Sequence, residues 1–566
     1  MRKKSRVIIL LLVIIFAIIF FNFGGSNISY NNDNLGILTL IPPVVAIILS
    51  FVTKNVVISL FLGALSGCFI LQITNQNFFY AIIHSFLDFV HICLNSLADP
   101  WNAGILLQVL VIGGVINLVS KMGGARAVAE ALAKKAKTPR STQIVTWLLG
   151  ICVFFDDYAN SLIVGPIMKP VADKMKVSRE RLAFIIDATA APIAGIAVIS
   201  TWVGLEVGLI NDAFTSIGEN VDAFGIFLQT IPYRFYNILI LIFVLITALL
   251  LKEFGPMRKA EIMARKGENK LSDINLGKKE LEDAEVKPGV KLSIWNAIIP
   301  IGTLIISALL SFYYSGYSAI MAGEDIIVKE MIINSPFSFS SIQQTFSNAD
   351  ASVALFQSAL FASIVTIALA VGKKIFTITE AIDVWIDGMK GLIITGVILL
   401  LAWSLSSVIK ELGTAGFLVN LLSDKLPKFL LPSTIFILGA VISFATGTAY
   451  GTMGILMPLA IPLANAINPD MTFIIMSTSA VLTGAIFGDH CSPISDTTIL
   501  SSMGAGCNHI EHVRTQMWYS IFVAIITVLF GYIPVGLGMP VYIVLPVAII
   551  GLFIITYFLG KPVEEK

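Results

Sequence analysis

Long apolar segments recur along the whole chain and are separated by short polar or charged loops. A transmembrane helix needs about 20 apolar residues to cross a hydrocarbon core of about 30 Å. The apolar segments that meet this length lie at 7–23, 37–53, 55–74, 103–120, 182–200, 224–251, 292–312, 351–371, 391–409, 471–488, 515–535 and 539–559. The pattern therefore predicts an all-α polytopic membrane protein.

Three further apolar segments do not fit a simple span. Segment 78–98 carries two histidines and an aspartate, which favours a partly buried or interfacial helix. Segments near 143–170 and 431–463 are each long enough to enter and leave the membrane without crossing it. Their interior Gly, Pro, Asn and Thr residues favour a break in the helix, so we predict two re-entrant hairpins.

The N-terminus combines a basic sequence, MRKKSR, with an apolar run at 7–21. A secretory signal peptide has the same two regions, but a small-x-small cleavage site is missing here. We therefore interpret the apolar run as a first span that is retained.

Composition supports a membrane protein and disfavours other classes. Of the 566 residues, 56% are hydrophobic and 13% are charged, which is more apolar surface than a soluble core of this length would bury. The net charge is +1, and basic and aromatic residues do not interleave, so we expect no nucleic-acid partner. The five cysteines form no C-x-x-C pair, so we expect neither disulfides nor a metal site from them.

The chain also repeats itself. FFDDYANSLIVGPIMKPVAD, at 154–173, is echoed by FATGTAYGTMGILMPLAIPLAN, at 444–465, with both prolines in register. TAAPIAG, from Thr189, then aligns with TSAVLTG, from Thr478. Two copies of a broken apolar segment at membrane depth are typical of secondary transporters. Chance similarity between membrane helices rich in small residues is the alternative.

Lysine and arginine set the predicted orientation, because they accumulate on the cytoplasmic side of membrane proteins. The N-terminus and the loops at 121–140 and 252–291 are basic. Segment 169–181, after the first hairpin, holds five basic residues, whereas 459–472, after the second, holds none. We therefore predict inverted repeats in a multi-pass protein of the cytoplasmic membrane, with the N-terminus in the cytoplasm.

These landmarks divide the chain into six predicted regions. They are N-terminal scaffold spans (1–100), a first repeat with its hairpin near 143–170 (101–251), a charged cytoplasmic linker (252–291), scaffold spans with an outer loop (292–390), a second repeat with its hairpin near 431–463 (391–510), and C-terminal spans (511–566).

Carboxylates inside these apolar regions are the first candidates for chemistry. A charged side chain near the bilayer midplane costs about 3 kcal/mol on insertion scales, so it needs a partner or a role. Asp156 and Asp157 lie at the predicted tip of the first hairpin. Adjacent carboxylates repel each other unless a cation is close. They could therefore bind a cation, or one of them could cap the helix that begins near Tyr158.

Asp187 and Thr189 precede a proline, Pro192, within an apolar segment. Because proline lacks a backbone N–H, it leaves a carbonyl group without its helical partner. Carbonyl, carboxylate and hydroxyl oxygens are hard ligands, which suit Na⁺ or Li⁺. The alternative is a proline-kinked helix in which Thr189 bonds only its own backbone.

The second repeat carries the densest polar run, GDHCSPISDTT at 488–498, with two carboxylates, one imidazole and four hydroxyls. We predict an unwound segment here that places Asp489, Ser492, Ser495 and Asp496 around a cation. The histidine in the run could relay a proton near neutral pH or be a hydrogen-bonded structural residue. A surface loop is the alternative for the whole run.

These segments together predict one set of residues that bind ions or substrate. The set is Asp156, Asp157, Asn160, Asp187, Thr189, Thr446, Thr448, Thr478, Asp489, His490, Ser492, Ser495, Asp496 and Thr497. Its expected Na⁺ ligands are Asp157, Asp187, Asp489 and Asp496. We expect no catalytic residue and no cofactor. The role of Glu206 is left open between a gate, a second proton site and an interfacial residue.

Three of these stretches carry a family resemblance. FFDDYANSLIVGPIMKPVAD, DATAAPIAGIAVIST (187–201) and GDHCSPISDTTILSS (488–502) resemble the NhaC-type sodium/proton antiporter family, part of the ion transporter superfamily. The resemblance implies two inverted repeats, each with a re-entrant hairpin and a broken helix, in a transport domain beside a scaffold that often dimerises. Members look like sodium/proton antiporters, and some exchange organic acids or amino acids. A homodimer is therefore expected.

The leading interpretation is exchange of Na⁺ (or Li⁺) for H⁺ by alternating access, with aspartates binding both ions in turn. The alternative is Na⁺- or H⁺-coupled exchange or uptake of a small organic acid or amino acid, because hydroxyl-rich helix N-termini can hold a carboxylate. Membrane lipids are the other expected partners. The motifs of an intramembrane protease are missing, so we expect no enzyme. A channel is disfavoured, because no polar face repeats along several helices.

Overall fold

The protein folds as a bundle of α-helices, as the apolar segments predict. The computed structural model describes residues 35–267, 286–414 and 427–563, apart from positions 54, 75, 199 and 288, together with residue 417. Within these residues, 11 helices are long and apolar enough to cross a membrane, or up to 12 if a bent helix pair counts as one span. The predicted first span at 7–23 lies outside the described residues.

The helices fall into two series, before and after the charged linker. The first series is α1 (Ile41–Thr53), α2 (Val56–Ile73), α3 (Phe78–Ala98), α4 (Pro100–Lys121), α5 (Gly124–Ala133), α6 (Pro139–Cys152), α7 (Asp157–Lys174), α8 (Arg179–Ala188), α9 (Ala191–Ala194), α10 (Val203–Ser216), α11 (Ala223–Thr230), α12 (Phe235–Leu250) and α13 (Gly255–Arg265).

The second series is α14 (Trp295–Ala322), α15 (Ile326–Asn334), α16 (Phe339–Ser347), α17 (Ala351–Gly372), α18 (Ile378–Gly391), α19 (Ile393–Glu411), α20 (Leu431–Thr446), α21 (Ala449–Ile467), α22 (Met471–His490), α23 (Asp496–Ala505), α24 (His509–Ile526), α25 (Ile533–Gly536) and α26 (Val541–Leu559). A π-helical turn at Thr527–Tyr532 joins α24 to α25. Two short antiparallel strands, β1 (Lys252–Glu253) and β2 (Lys561–Pro562), pair with each other.

The first predicted hairpin consists of α6 and α7, and the chain between them, 153–156, is not helical. α7 begins at Asp157, one residue before the expected Tyr158. Pro166 and Pro170 both lie inside α7. Each removes the N–H that would pair with the carbonyl four residues earlier, so two carbonyl groups of α7 lose their usual helical donors.

The second predicted hairpin consists of α20 and α21, which meet at Gly447 and Thr448. Gly447 has φ 69°, a left-handed conformation that glycine adopts without a steric cost. A Cβ there would also come within 2.7 Å of the Ile494 carbonyl oxygen, so the turn can pack closely against the polar run. By length and composition, α21 and the helical stretch Lys428–Thr446 could each cross a membrane.

The predicted span at 182–200 is interrupted, which agrees with the broken helix predicted for the first repeat. α8 ends at Ala188, the four-residue α9 follows, and α10 begins only at Val203. Pro192, inside α9, cannot continue the hydrogen-bond ladder of α8, because it has no N–H to donate. The first half therefore contains an interrupted helix directly after its hairpin.

The second half also interrupts a helix after its hairpin, but at a different point. α22 runs without a break to His490, and α23 begins at Asp496. Thr478 therefore lies inside a continuous helix, whereas Thr189, its partner in our sequence alignment, lies at the end of α8. TSAVLTG has no proline where TAAPIAG has one, which explains why α22 continues through it.

Two segments differ from their predictions. Segment 78–98 forms α3, which has the length and hydropathy of a full span, with only 17% of its most apolar window buried inside the protein. The predicted interfacial helix is thus long enough to cross the membrane. The predicted span at 224–251 is bent by 46° where Ala223–Tyr233 meets α12.

Opposite orientation of the two hairpins remains a prediction, and labelling tests it directly. Lys176 follows the first hairpin and is exposed, and Asn468 follows the second and is half-buried. In a variant that lacks the native cysteines, we expect Lys176→Cys to react with an impermeant maleimide only from the cytoplasm. Asn468→Cys should react only from the outside. Labelling of both positions from the same side would show that the repeats are parallel.

Candidate functional site

Both hairpin turns and the second helix interruption meet around a cavity of about 350 Å³, which we call the aspartate cavity. Eight of the fourteen predicted site residues line it: Asp156, Asp157, Thr446, Thr448, Asp489, Ser495, Asp496 and Thr497. Its wall contains four carboxylates and, among the described residues, no lysine, arginine or histidine. The cavity therefore has a negative electrostatic character that attracts cations.

Six helices begin at the wall of the aspartate cavity, namely α2, α7, α10, α19, α21 and α23. The first N–H groups of a helix have no partner within the helix, and its N-terminus carries about half a positive charge. The arrangement brings these partial positive charges toward the four carboxylates. It helps to explain how several aspartates can be accommodated at one place inside an apolar protein.

Three hydrogen bonds hold the non-helical segments around the cavity. The Thr201 N–H donates to the Phe155 carbonyl at 3.0 Å, which joins the first hairpin turn to the start of α10. The Ser492 hydroxyl donates to the Phe444 carbonyl at 2.7 Å, which joins the second interruption to the second hairpin. The Asn160 amide donates to the Thr189 carbonyl at 2.6 Å and joins the first hairpin to the first interruption. Asn160 and Ser492, predicted to bind the ion, thus tie backbone segments together.

Three of the predicted threonines donate their hydroxyl protons to their own helices. Thr189 donates to the Ile185 carbonyl at 2.8 Å, and Thr478 donates to the Ile474 carbonyl at 2.8 Å. Thr446 makes the same kind of bond, at 3.0 Å, but it lies on the cavity wall. Its oxygen keeps a lone pair that can face a cation.

Asp187 lies outside the wall of the aspartate cavity, in a fully buried polar cluster. Its Oδ2 accepts a hydrogen bond from the Gln516 amide at 2.6 Å and lies 3.3 Å from Nε2 of His512. The same Gln516 amide also donates to the His490 carbonyl. Nδ1 of His490 lies 2.7 Å from the Tyr236 hydroxyl. Gln516, on α24, thereby connects the ends of the two interrupted helices, α8 and α22.

The four predicted Na⁺ ligands are consequently divided. Asp157, Asp489 and Asp496 line the aspartate cavity, whereas Asp187 belongs to the buried cluster. Among the described residues, no three His, Cys, Asp or Glu side chains come together as a group that could hold a metal ion. Oδ1 of Asp489 is buried and has no hydrogen-bond partner among these residues. A cation held at the cavity would therefore depend on hydroxyl or carbonyl oxygens as well as carboxylates.

Several residues of the cavity wall were missed by the sequence reasoning. Tyr158, Thr201, Trp202 and Tyr450 all line it, and the rings of Trp202 and Tyr450 are 4.6 Å apart at their centroids. The repeat could have indicated two of them, because Tyr158 and Tyr450 occupy equivalent positions when the proline pairs are aligned. Asn55, at the start of α2, could not be predicted as a wall residue, because no sequence motif links it to the hairpins.

Glu206, whose role was open, is fully buried and forms an ion pair with Arg234 at 2.7 Å. Arg234 also donates to the Thr230 hydroxyl at 3.0 Å and to the Gly195 carbonyl. Its guanidinium lies 4.9 Å from the centroid of the Phe227 ring. Glu206 does not line the aspartate cavity. These contacts fit a structural brace between the first interruption, α10 and the start of α12.

Known proteins resemble this chain to different extents. The model of the Na⁺/H⁺ antiporter family matches residues 4–197 and 193–537. An uncharacterised protein of Haemophilus influenzae is 33% identical over 505 residues, which cover 88% of this chain and 90% of that protein. The YdaH transporter of Alcanivorax borkumensis superposes with a TM-score of 0.47 at 13% identity, over 80% of this chain and 90% of that one.

Two characterised relatives match shorter stretches. The Na⁺/H⁺ antiporter NhaC of Alkalihalophilus pseudofirmus is 30% identical over 132 residues, 23% of this chain and 27% of that protein. The malate-2H⁺/Na⁺-lactate antiporter of Bacillus subtilis is 34% identical over 101 residues, 18% of this chain and 21% of that protein. In these two cases the match spans about a quarter of the relative or less.

The Glu206–Arg234 pair provides a test of the brace. We expect Arg234→Met to lower the free energy of unfolding by about 3–5 kcal/mol, because it leaves the Glu206 charge buried without a partner. The double variant Glu206→Leu, Arg234→Met should recover much of this loss, since neither charge remains. Unfolding of the purified protein in detergent measures both.

Arg514→Met is the matched control, because Arg514 pairs with Glu511 at the surface. Its loss should cost less than about 1 kcal/mol. A double variant as unstable as Arg234→Met alone would contradict a brace that depends on the charge pair.

Proposed function

Because this chain belongs to the Na⁺/H⁺ antiporter family, and is thus a transporter rather than an enzyme, we propose that it exchanges Na⁺ (or Li⁺) for H⁺ across the cytoplasmic membrane. The aspartate cavity is the proposed ion site. The proposal rests on the wall of this cavity, which contains four carboxylates and, among the described residues, no basic side chain. Of the three predicted Na⁺ ligands on this wall, Asp157 and Asp489 are the proposed central ones, since each is at least nine-tenths buried, whereas Asp496 is exposed.

Competition between Na⁺ and H⁺ for the same carboxylates is sufficient for exchange. A carboxylate that holds a proton is neutral and binds a cation poorly, whereas an ionised carboxylate in a site of low polarity needs a cation nearby. Each aspartate would therefore carry either a proton or a share of a cation, and not both. Exchange then follows if the site opens to one side of the membrane at a time.

The packing around the cavity supports a moving unit made from both halves of the chain. α7 and α23 cross closely, because a Cβ on Gly165 would come within 2.6 Å of the Gly504 backbone. The Ser161 and Ser501 hydroxyls are 3.0 Å apart at the same crossing. The hairpin that bears Asp157 would thus move together with the helix that bears Asp496, against the scaffold formed by α1–α3 and α19.

The side to which the aspartate cavity opens is inferred from two exposed residues of its wall, which we call the rim. Asn55 and Gly391 belong to the cavity wall, and in the sequence each follows a lysine, Lys54 and Lys390. Because lysines accumulate on the cytoplasmic side, the rim is proposed to face the cytoplasm. The conformation described here is then the inward-facing one, with the N-terminus in the cytoplasm. A homodimer through the scaffold helices is proposed on the family resemblance alone.

A second candidate function is exchange of a small organic acid coupled to Na⁺ or H⁺. Six helix N-termini at one cavity could hold a substrate carboxylate. A volume of about 350 Å³ is within the range of small-molecule sites, which starts near 300 Å³. One partial relative is named as a malate and lactate antiporter. The four wall carboxylates disfavour this candidate, since they would repel an anion unless cations or protons neutralised them first.

Asp157→Asn tests the ion site. We expect this variant to abolish Na⁺-dependent proton flux in vesicles, because it removes the carboxylate at the start of α7 while keeping nearly the same shape. Asp387→Asn is the matched control, because Asp387 is exposed and pairs with Lys390 outside the cavity wall. The control should retain at least about half of the wild-type rate, as expected for an exposed charge pair. Wild-type flux in Asp157→Asn would remove this residue from the mechanism.

A vesicle screen separates the two candidate functions. Purified protein is reconstituted with a pH-sensitive dye inside, and Na⁺, Li⁺, K⁺, malate and lactate are added outside one at a time. Exchange of Na⁺ for H⁺ predicts proton flux with Na⁺ or Li⁺ alone and no further flux when malate or lactate is added. Proton flux that requires an organic acid would favour the second candidate.

A further inference from the structure

The far end of α7 borders a second cavity, of about 760 Å³. It shares no wall residue with the aspartate cavity. Helices α5, α7 and α23 form most of its wall, with contributions from Ser120 and Val286. We call it the basic cavity, because its charged residues are Arg126, Glu130, Lys134 and Lys169. The proposed exchange of Na⁺ for H⁺ does not use it.

The charges of the basic cavity are only partly compensated. Arg126 forms an ion pair with Glu130 at 3.0 Å, so these two charges balance. Lys134 is exposed and Lys169 is half-buried, and neither forms an ion pair with another described residue. The wall therefore carries two positive charges that no described acidic side chain neutralises. An anion is the complementary ligand.

One wall of the basic cavity is apolar. It consists of side chains from consecutive turns of α7, namely Leu162, Ile163, Pro166, Ile167 and Pro170, and it is extended by Ala133 and Met503. A small hydrophilic anion would leave this wall in contact with water. A ligand with hydrocarbon chains would cover it and gain about 25 cal/mol for each Å² of apolar surface removed from water.

The two prolines add a third feature. Pro166 and Pro170 provide no N–H, so the carbonyl groups of Leu162 and Pro166 lose their helical donors. Both of these residues belong to the cavity wall. Carbonyl oxygens accept hydrogen bonds, so the wall favours a ligand that carries hydroxyl donors beside its negative charge.

We infer that the basic cavity binds an anionic phospholipid with a hydroxyl-bearing headgroup, as in phosphatidylglycerol. The phosphate lies between Lys134 and Lys169, the headgroup hydroxyls donate to the freed carbonyls, and an acyl chain covers the apolar wall. Basic pockets between membrane helices on the cytoplasmic side are suited to such headgroups. The lipid then contacts the same helix that bears Asp157.

The test is equilibrium binding to the full-length protein in detergent, counted by native mass spectrometry. The probes are phosphatidylglycerol, phosphatidylcholine with the same acyl chains, and inorganic phosphate. We expect phosphatidylglycerol to bind at least tenfold more tightly than phosphatidylcholine. Inorganic phosphate should bind far more weakly, because it cannot cover the apolar wall.

Variants assign the binding to this cavity. The double variant Lys134→Gln, Lys169→Gln should weaken phosphatidylglycerol binding about 30-fold, since each lysine near an anionic lipid contributes roughly a fivefold gain. Lys135→Gln, Lys174→Gln is the matched control, because it removes the same charge from neighbouring positions outside the cavity wall. This control should change binding less than twofold. The double variant Lys134→Arg, Lys169→Arg keeps both positive charges. It should therefore bind phosphatidylglycerol as the wild type does, which would show that substitution at these positions leaves the site folded.

Two results would overturn the inference. Equal binding by the wild type and the double glutamine variant, with arginine and control variants unchanged, would place the lipid elsewhere. Phosphate binding as tight as that of phosphatidylglycerol would assign the cavity to a free phosphate rather than to a lipid.

Discussion

The fold depends on one constraint, which is that backbone N–H and C=O groups within a membrane must find partners inside the protein. Most of this chain meets the constraint with long helices. At the two hairpins and the two interruptions it does not, because helices end and begin inside the bundle. Six helices begin at the aspartate cavity, whose wall also contains four carboxylates, and side chains cap two of these helix starts, at Asn55 and Thr448. The interruptions and the buried carboxylates thus compensate for each other.

The sequence predicted those parts of the site that depend on local chemistry. The turn before Asp157 and the interruption near Pro493 both follow from residues that break a helix or cap it. Such effects act over a few residues, so they are visible in a single sequence. The confirmed parts of the prediction are the all-α membrane fold and the family.

Parts of the site that depend on helix packing could not be predicted in this way. Asp187 was expected beside Asp157, but Gln516 and His512 of α24 enclose it in a separate cluster. Nothing in the spacing of these residues indicates that α24 packs against α8. The different positions of Thr478 and Thr189 in their helices could not be predicted either, because similar small residues continue one helix and end the other.

Helix α7 extends from the aspartate cavity, whose wall is negatively charged, to the basic cavity, whose wall carries an excess of positive charge. Asp157 begins the helix at the negative cavity, and Lys169 lies twelve residues later at the basic one, about 18 Å along the helix axis. A displacement of α7 at one cavity would also move part of the wall of the other, because both walls contain residues of this helix. The proposed ion exchange and the inferred lipid contact therefore concern one structural element.

Direct measurement of Na⁺ binding to the purified protein tests the central claim most closely. Isothermal titration calorimetry of the detergent-solubilised protein, repeated in buffers of different ionisation enthalpy, reports both the bound cation and the protons released. The account predicts saturable Na⁺ binding accompanied by proton release, and the loss of both in Asp489→Asn. Saturable Na⁺ binding that releases no proton, or that persists unchanged in Asp489→Asn, would contradict it.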